Sequence, residues 1–362
     1  MADPRRTLIL ANGGSGGAIG ERARWVALAA GGADVAYREG ARLSAVRHFA
    51  REIRRVRPEV VYLVDCAVST VVAGAIARAI LGAHIVLDTG DAIGALAFST
   101  GRGGRLGGLL ASGIERLGYR IASTIVVRSD GLEEHVRALS GRTSVVIPDG
   151  FDPSIAGPRD GKQYRSSWKA GESVLVIGVV GSANWNARLE WCYGRDVIGL
   201  LAHTDRRDVT GVLLVRGNGV PHLENLAKRL GVSDRVAFAT PEEGEAFWEQ
   251  LGAIDIALST QTNDAVGRAR TTGKLVQYLA AGKFILASRV GTAAKVLPEE
   301  MLVDYHGAWD PGYFHRLGER VNSLGTRCEV RSRGSGMTEV ADRFSYARLV
   351  ERLRTEVFGA VA

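Results

Sequence analysis

The chain has 362 residues, 46% of them apolar and 46 of them glycine, which is too long for one ordinary hydrophobic core and suits two α/β domains with many tight strand-to-helix turns. Three cysteines, Cys66, Cys192 and Cys328, stand far apart with no C-x-x-C pair, which argues against a disulfide framework or a cysteine zinc cage and points to a reducing cytoplasm. The net charge is +7, and residues 1–150 supply +5 of it through 19 arginines, no lysine and 14 carboxylates, a field that favours anionic partners.

The opening MADPRRTLILANGG has too short an apolar stretch before its glycines for a signal peptide and reads as a first strand. No run reaches the roughly 18 uninterrupted apolar residues of a membrane span, because Arg78 and His84 break the best candidate. Strand-length apolar runs then recur at 7–11, 60–65, 84–88, 124–127 and 144–148, with helical spacing at 20–30, 43–57, 67–81 and 107–121. That alternation predicts a doubly wound parallel sheet.

Within this half, the loop NGGSGGAIG (12–20) follows a strand and opens a helix, which makes Gly16 and Gly17 candidates for a phosphate turn; a simple close turn is the other reading. No acidic residue ends the second strand near Ala36 and Tyr37, so the loop is not in a dinucleotide register. Residues 42–57 put Leu43, Val46, Phe49, Ile53 and Val56 on one helical face and six arginines on the other. Such a helix fits either an anionic membrane surface or a solvated outer position. LDTGD (87–91) places Asp88 and Asp91 where a buried strand ends and polar side chains would reach a cleft. A hard cation needs more oxygens than these two supply, so no metal site is expected, and Asp91 either orients an acceptor hydroxyl or caps the following loop. The glycine-rich stretch STGRGGRLGG (99–108) is expected to be a long loop, with Arg102 and Arg105 available to a phosphorylated or acidic acceptor.

PDGFDPS (148–154) breaks the pattern, and the polar stretch to about 171 reads as a linker. Alternation restarts with strands at 174–181, 212–217, 235–239, 255–259 and 284–288. The expected layout is an N-terminal Rossmann-like acceptor domain over 1–155, a C-terminal Rossmann-like donor domain over 170–335, and a helix over 339–362 that packs back on the first domain. In GRARTTGK (267–274), Arg268, Arg270 and Lys274 surround a helix start, while Thr271, Thr272 and Gly273 let the backbone come close; this suits a diphosphate. An ordinary threonine N-cap with solvated cations is the alternative.

TGKLVQYLAAGKFILAS, together with GSANWN (181–186), GNGVPHLENLAKRLGVSDRVAF (217–238), SDGLEEHV and IPDGFD, resembles the retaining, nucleotide-sugar-dependent glycosyltransferases of GT-B fold, of the family 4 (glycosyl transferases group 1) type. The likeness spans most of the chain. It implies two Rossmann-like sheets facing a central cleft and transfer of a sugar from a nucleoside diphosphate sugar to a hydroxyl of a sugar, lipid-linked or small-molecule acceptor. Neither a metal nor a cofactor is implied, the nucleotide sugar being a co-substrate. By position it assigns Gly181, Ser182, Asn184, Arg188 and Gly217 to the donor-phosphate side, Thr240 to the nucleobase turn, and Thr271, Thr272, Gly273 and Lys274 to the pyrophosphate. Gln277 stands where the family usually carries a glutamate on the ribose, and Ala269 replaces a second glutamate. Arg188, Arg268 or Arg270 stands in for basic residues the family places after the G-S pair. The expected reaction is therefore glycosyl transfer in the cytoplasm, with peripheral contact at the inner face of the membrane and no nucleic-acid partner. Two alternatives stay open, a catalytically silent sugar-nucleotide-binding protein and a GT-B-type nucleotide-sugar epimerase.

Overall fold

The computed structural model describes residues 5–101, 103–168 and 170–360. Residues 1–4 of the opening segment and Arg102 lie outside the described residues. The chain forms two compact units: Met1–Asp149 with Arg268–Thr271 and Tyr346–Ala362, and Gly150–Gly267 with Thr272–Ser345.

The first unit contains β1 (Thr7–Ala11), β2 (Asp34–Tyr37), β3 (Val60–Val64), β4 (His84–Thr89), β5 (Thr124–Val127) and β6 (Val145–Val146), in the order β2-β1-β3-β4-β5-β6. All pairings are parallel. Every residue of β3 is buried, as expected for a strand covered by helices on both faces. One core lies under the helices Arg42–Val56, Val68–Leu81 and Gly104–Ile121, and holds Phe49, Ile53, Val71 and Tyr119. The other lies under the helix Gly17–Ala29 and the C-terminal segment, and holds Val26, Tyr62, Leu349 and Leu353.

The second unit contains β7 (Leu175–Ser182), β8 (Val209–Arg216), β9 (Val236–Ala239), β10 (Ile256–Ser259), β11 (Phe284–Ser288) and β12 (Leu302–Val303), in the order β12-β11-β10-β7-β8-β9. These pairs are parallel too. In each sheet the chain winds outward one way and then the other, so strand order reverses between β1 and β3 and between β7 and β10. Ligands of open α/β sheets bind outside the carboxyl ends of the strands at such points.

Four expectations change. The stretch 150–171 belongs to the second unit and contains a helical segment, Lys162–Ser167, whose Arg165 is buried against Asp255. The glycine-rich stretch 99–108 is not a long loop: the helix Ile93–Thr100 ends there and Gly104–Ile121 begins. Gly101, Gly103 and Gly104 supply positive φ values between the two helices. Leu43 points outward, 77% exposed, while Phe49 and Ile53 face the core. The expected helix 339–362 is broken at Ser345, which is extended. Before the break Phe344 joins the second unit's core; after it Tyr346 stacks on Trp25 at 4.6 Å and Leu349, Leu353 and Val357 join the first unit's core.

Candidate functional site

In the second unit the ends of β7 and β10 define the candidate site. Gly181 and Ser182 are the last residues of β7. A Cβ on Gly181 would come within 3.1 Å of the Tyr193 ring, a tight contact, so glycine lets that ring lie close against the strand end without displacement. The Lys274 ammonium sits 3.5 Å from the centre of the same ring, a cation–π contact that holds the charge at the first turn of the helix Gly273–Ala280. The helix is fixed to the strand by the Val180 N–H, which donates to the Tyr278 hydroxyl at 2.8 Å. Thr272 occupies the N-cap position, yet its side chain makes no capping hydrogen bond. The helix therefore presents amide N–H groups that a bound anion can satisfy.

The neighbouring turns are built to bring backbone close. Gly217 follows β8 with φ of +146°, and a Cβ there would lie 2.6 Å from the Ala183 carbonyl carbon. That close approach lets Gly219 N–H donate to the Ala183 oxygen at 2.6 Å and Asn218 accept from Trp185 N–H at 2.9 Å. Asn184 is exposed on this turn. Arg188 is also exposed, within a turn closed by Asn186 and Trp191 through backbone bonds of 3.0 and 3.3 Å. Thr240 follows β9 and is exposed; its carbonyl accepts from buried Gln250 at 3.0 Å, which shapes the turn from below. Gln277 is half-buried one turn beyond Lys274.

Two residues of this end carry no sequence signal. Tyr193 is one. Asp196 is the other, buried at the start of the helix Arg195–His203 beside the Thr260 hydroxyl, where burial raises its carboxyl above the ordinary range despite Lys274 and Arg195.

The carboxyl end of the first sheet is organised differently. Asp88, expected to reach a cleft, is fully buried: Arg22 Nε and the Tyr62 hydroxyl each donate to its Oδ2 at 2.8 Å, and Arg128 Nε to its Oδ1 at 3.4 Å. Burial alone would raise this carboxyl, but the two guanidiniums outweigh it and hold it below the ordinary value. Arg128 also pairs with Asp65 at 2.9 Å and Asp149 at 3.5 Å. Asp65, which follows β3 at the strand-order reversal, has φ of +72°, a strained left-handed conformation for a residue with a side chain.

Asp91 is half-buried after β4 and paired with Arg270, whose Nε donates at 2.5 Å and Nη2 at 3.3 Å. Arg270 belongs with Arg268–Thr271 to the first unit, where Ser129 donates to the Ala269 carbonyl at 2.6 Å. The proposed acceptor-orienting carboxylate and one of the proposed diphosphate-side cations thus meet each other, and Arg270 already has a carboxylate at its guanidinium. Arg268 is exposed at the end of a short helical turn, Ala265–Ala269, and Thr271 is buried. Gly16 caps the helix Gly17–Ala29; a Cβ on Gly16 or Gly17 would meet open space, whereas Gly20 touches the Ser15 carbonyl. Arg105 is exposed on the outer side of its own helix. Among the described residues, no group of three or more His, Cys, Asp or Glu could hold a metal ion.

Solved structures match this architecture along nearly its whole length. Anabaena HepE, solved with UDP and glucose, has a TM-score of 0.77 at 18% identity, covering 98% of this chain and 100% of that one. Sucrose-phosphate synthase from Thermosynechococcus elongatus has a TM-score of 0.75 at 16% identity, covering 98% and 100%. The lipopolysaccharide outer core galactosyltransferase WaaB has a TM-score of 0.62 at 12% identity, covering 98% and 99%. No protein-family model and no curated protein sequence matches the chain. The fold is that of the GT-B glycosyltransferase structures, with two six-stranded parallel α/β units.

Proposed function

We propose that the chain is a glycosyltransferase that moves a sugar from a nucleoside diphosphate sugar to an acceptor hydroxyl, without a metal and with retention at the anomeric carbon. The observation that carries this reading is the end of β7, where Gly181 admits Tyr193, Tyr193 positions Lys274, and the helix Gly273–Ala280 turns its amino end outward. UDP and glucose in the similarly folded HepE support a nucleotide sugar as the ligand class.

When the anomeric C–O bond breaks, its electron pair goes to the diphosphate, which gains charge. An ammonium and helix amides aimed at that group favour the transition state over the ground state. The acceptor oxygen forms the new bond on the face the diphosphate leaves, and a diphosphate oxygen takes the acceptor proton. Asp91, held by Arg270, is the carboxylate we assign to orienting that hydroxyl. Asp88, enclosed by two arginines, has no role toward a cation.

A thermal-shift screen against UDP, GDP, ADP, TDP and CDP and their sugar conjugates tests the donor site, because a ligand of the folded state raises its melting temperature. One base should give a clear shift. With that donor, Lys274→Ala should lower turnover on the order of a hundredfold, and Gln277→Ala by less than about tenfold, the worth of one neutral hydrogen bond. Equal losses would count against phosphate charge as the main catalytic contribution. A silent sugar-nucleotide-binding protein is the second reading, favoured by Ala269, buried in the first unit's core where the resembling enzymes usually carry a glutamate. It expects the thermal shift but no nucleoside diphosphate release with any acceptor.

A further inference from the structure

The helix Gly104–Ile121 buries Gly108, Glu115, Gly118 and Tyr119 and turns leucines outward: Leu106, Leu109 and Leu110 are each more than 60% exposed, and Leu117 is 37% exposed. At about 100° per residue these four fall on one side of the helix. Arg105, Arg116 and Arg120 occupy the adjoining strip of the same exposed arc. Glu115, the helix's one carboxylate, points inward to Tyr119 and His135. Among the described residues, none of the three arginines has an ion-pair partner. Phe98, also exposed, lies against Gly108 of the same helix. Beside the strip runs a cavity of about 650 Å³ bordered by Arg78, Arg116, Arg120 and Arg142.

We infer that the outer face of Gly104–Ile121 docks on an anionic lipid bilayer. Leucines on the surface of a charged protein mark a contact site, and the unpaired arginines beside them select its partner. A second copy of the chain meeting this face would bring three more arginines into the contact and no exposed carboxylate of this helix to pair with them, which like-charge repulsion disfavours. A sheet of lipid phosphates matches the arginines, and its acyl boundary accepts leucine side chains. The inference stands apart from the donor site and from the arginine-rich helix Arg42–Val56, where Leu43 is the one strongly exposed large apolar side chain.

The test is co-sedimentation of the full chain with vesicles of phosphatidylcholine alone and of equimolar phosphatidylcholine and phosphatidylglycerol, at low and high salt. The wild type should pellet with the mixed vesicles, release in high salt, and stay in solution with phosphatidylcholine alone. Leu109→Ser with Leu110→Ser should weaken binding about tenfold, on the scale of apolar burial, and the triple change Arg105→Gln, Arg116→Gln, Arg120→Gln roughly a hundredfold. Melting temperatures should not fall, since all five side chains are exposed. Unchanged binding in either variant would overturn the inference, as would loss of binding on Leu43→Ser alone. So would a dimer, seen by sedimentation velocity, that the leucine changes abolish.

Discussion

Each unit is built on its own six-stranded parallel sheet, yet one buries its ionic cluster at the carboxyl ends of its strands and the other at the amino ends. In the first, Asp88, Asp65, Arg128 and Asp149 sit at or just beyond the carboxyl ends of β4, β3, β5 and β6, with Arg22 reaching them from the helix Gly17–Ala29. In the second, Asp255 precedes β10 and accepts from Arg165, Arg327 and the Val176 N–H, while Lys283 precedes β11 and donates to the Gly252 carbonyl. These are the amino ends. A buried ion pair fixes the loops around it and uses the polar groups that a ligand would need. With that cluster at the far end, the carboxyl end around β7 and β10 is left to Gly181, Ser182, Tyr193, Lys274, the buried Asp196 and the amides of the helix Gly273–Ala280. Stability and binding should then be separable in the second unit and entangled in the first.

The most severe way to break this contrast is to remove each cluster's carboxylate. Asp88→Ala leaves Arg22 buried without a carboxylate and takes one of three from Arg128, and Asp255→Ala strands Arg165 beside Arg327. Losing one partner of a buried pair costs about 3–5 kcal/mol, because the remaining charge stays buried. Chemical denaturation should show losses of that size for both. The nucleotide-induced thermal shift should survive in the Asp255 variant, measured from its own lowered melting point. Its disappearance there would show that the amino-end cluster is not separable from the binding end.

Lys283 sharpens the comparison through pH. Burial, with Arg331 nearby, pushes its ammonium down to about 7 from an ordinary value of 10.5. Below pH 7 both folded and unfolded chains carry the proton, so the cost of burying the charge is fully present. Between about 7 and 10.5 the folded chain holds fewer protons than the unfolded one, so this group makes stability rise with pH. Lys283→Met should therefore raise the melting temperature at pH 7, and its advantage should shrink as the pH climbs towards 10. A constant gap across that range would refute the assignment.

Sheet order apart, much of the fold was legible in the sequence because strands covered on both faces are uninterrupted apolar runs: 7–11, 124–127 and 284–288 coincide with β1, β5 and β11. Leu302–Val303 is only two residues long and leaves no such trace. Glycine misled at 99–108, where a high density suggested a loop but the positive φ values of Gly101, Gly103 and Gly104 merely join two helices. Asp88 misled because a carboxylate near a strand end reads as a ligand-facing group unless its partner is found. The partner was visible in principle: Arg22 shares a helical face with Val26 and Ala29, an unusual position for a guanidinium with no buried acid to meet. At the candidate site, TTGK announced a helix start, since hydroxyls and glycine before an apolar run have that local meaning. Tyr193 announced nothing, because its role exists only where separate segments bring it between Gly181 and Lys274.

That aromatic contact gives the mildest prediction. Tyr193→Leu retains bulk over Gly181 but removes the π face beneath the ammonium, an interaction worth about 0.5–1 kcal/mol when partly exposed. Lys274 would keep its charge and lose its fixed position, so affinity for the preferred nucleoside diphosphate should fall by about two- to fivefold, with little change in melting temperature. Tyr193→Phe preserves the ring and should match the wild type. If both changes weakened binding equally, the hydroxyl would be the operative group, and the placement of Lys274 by the ring would be wrong. Isothermal titration of the two variants with one diphosphate distinguishes these outcomes, because Lys274 remains in both and only its support differs.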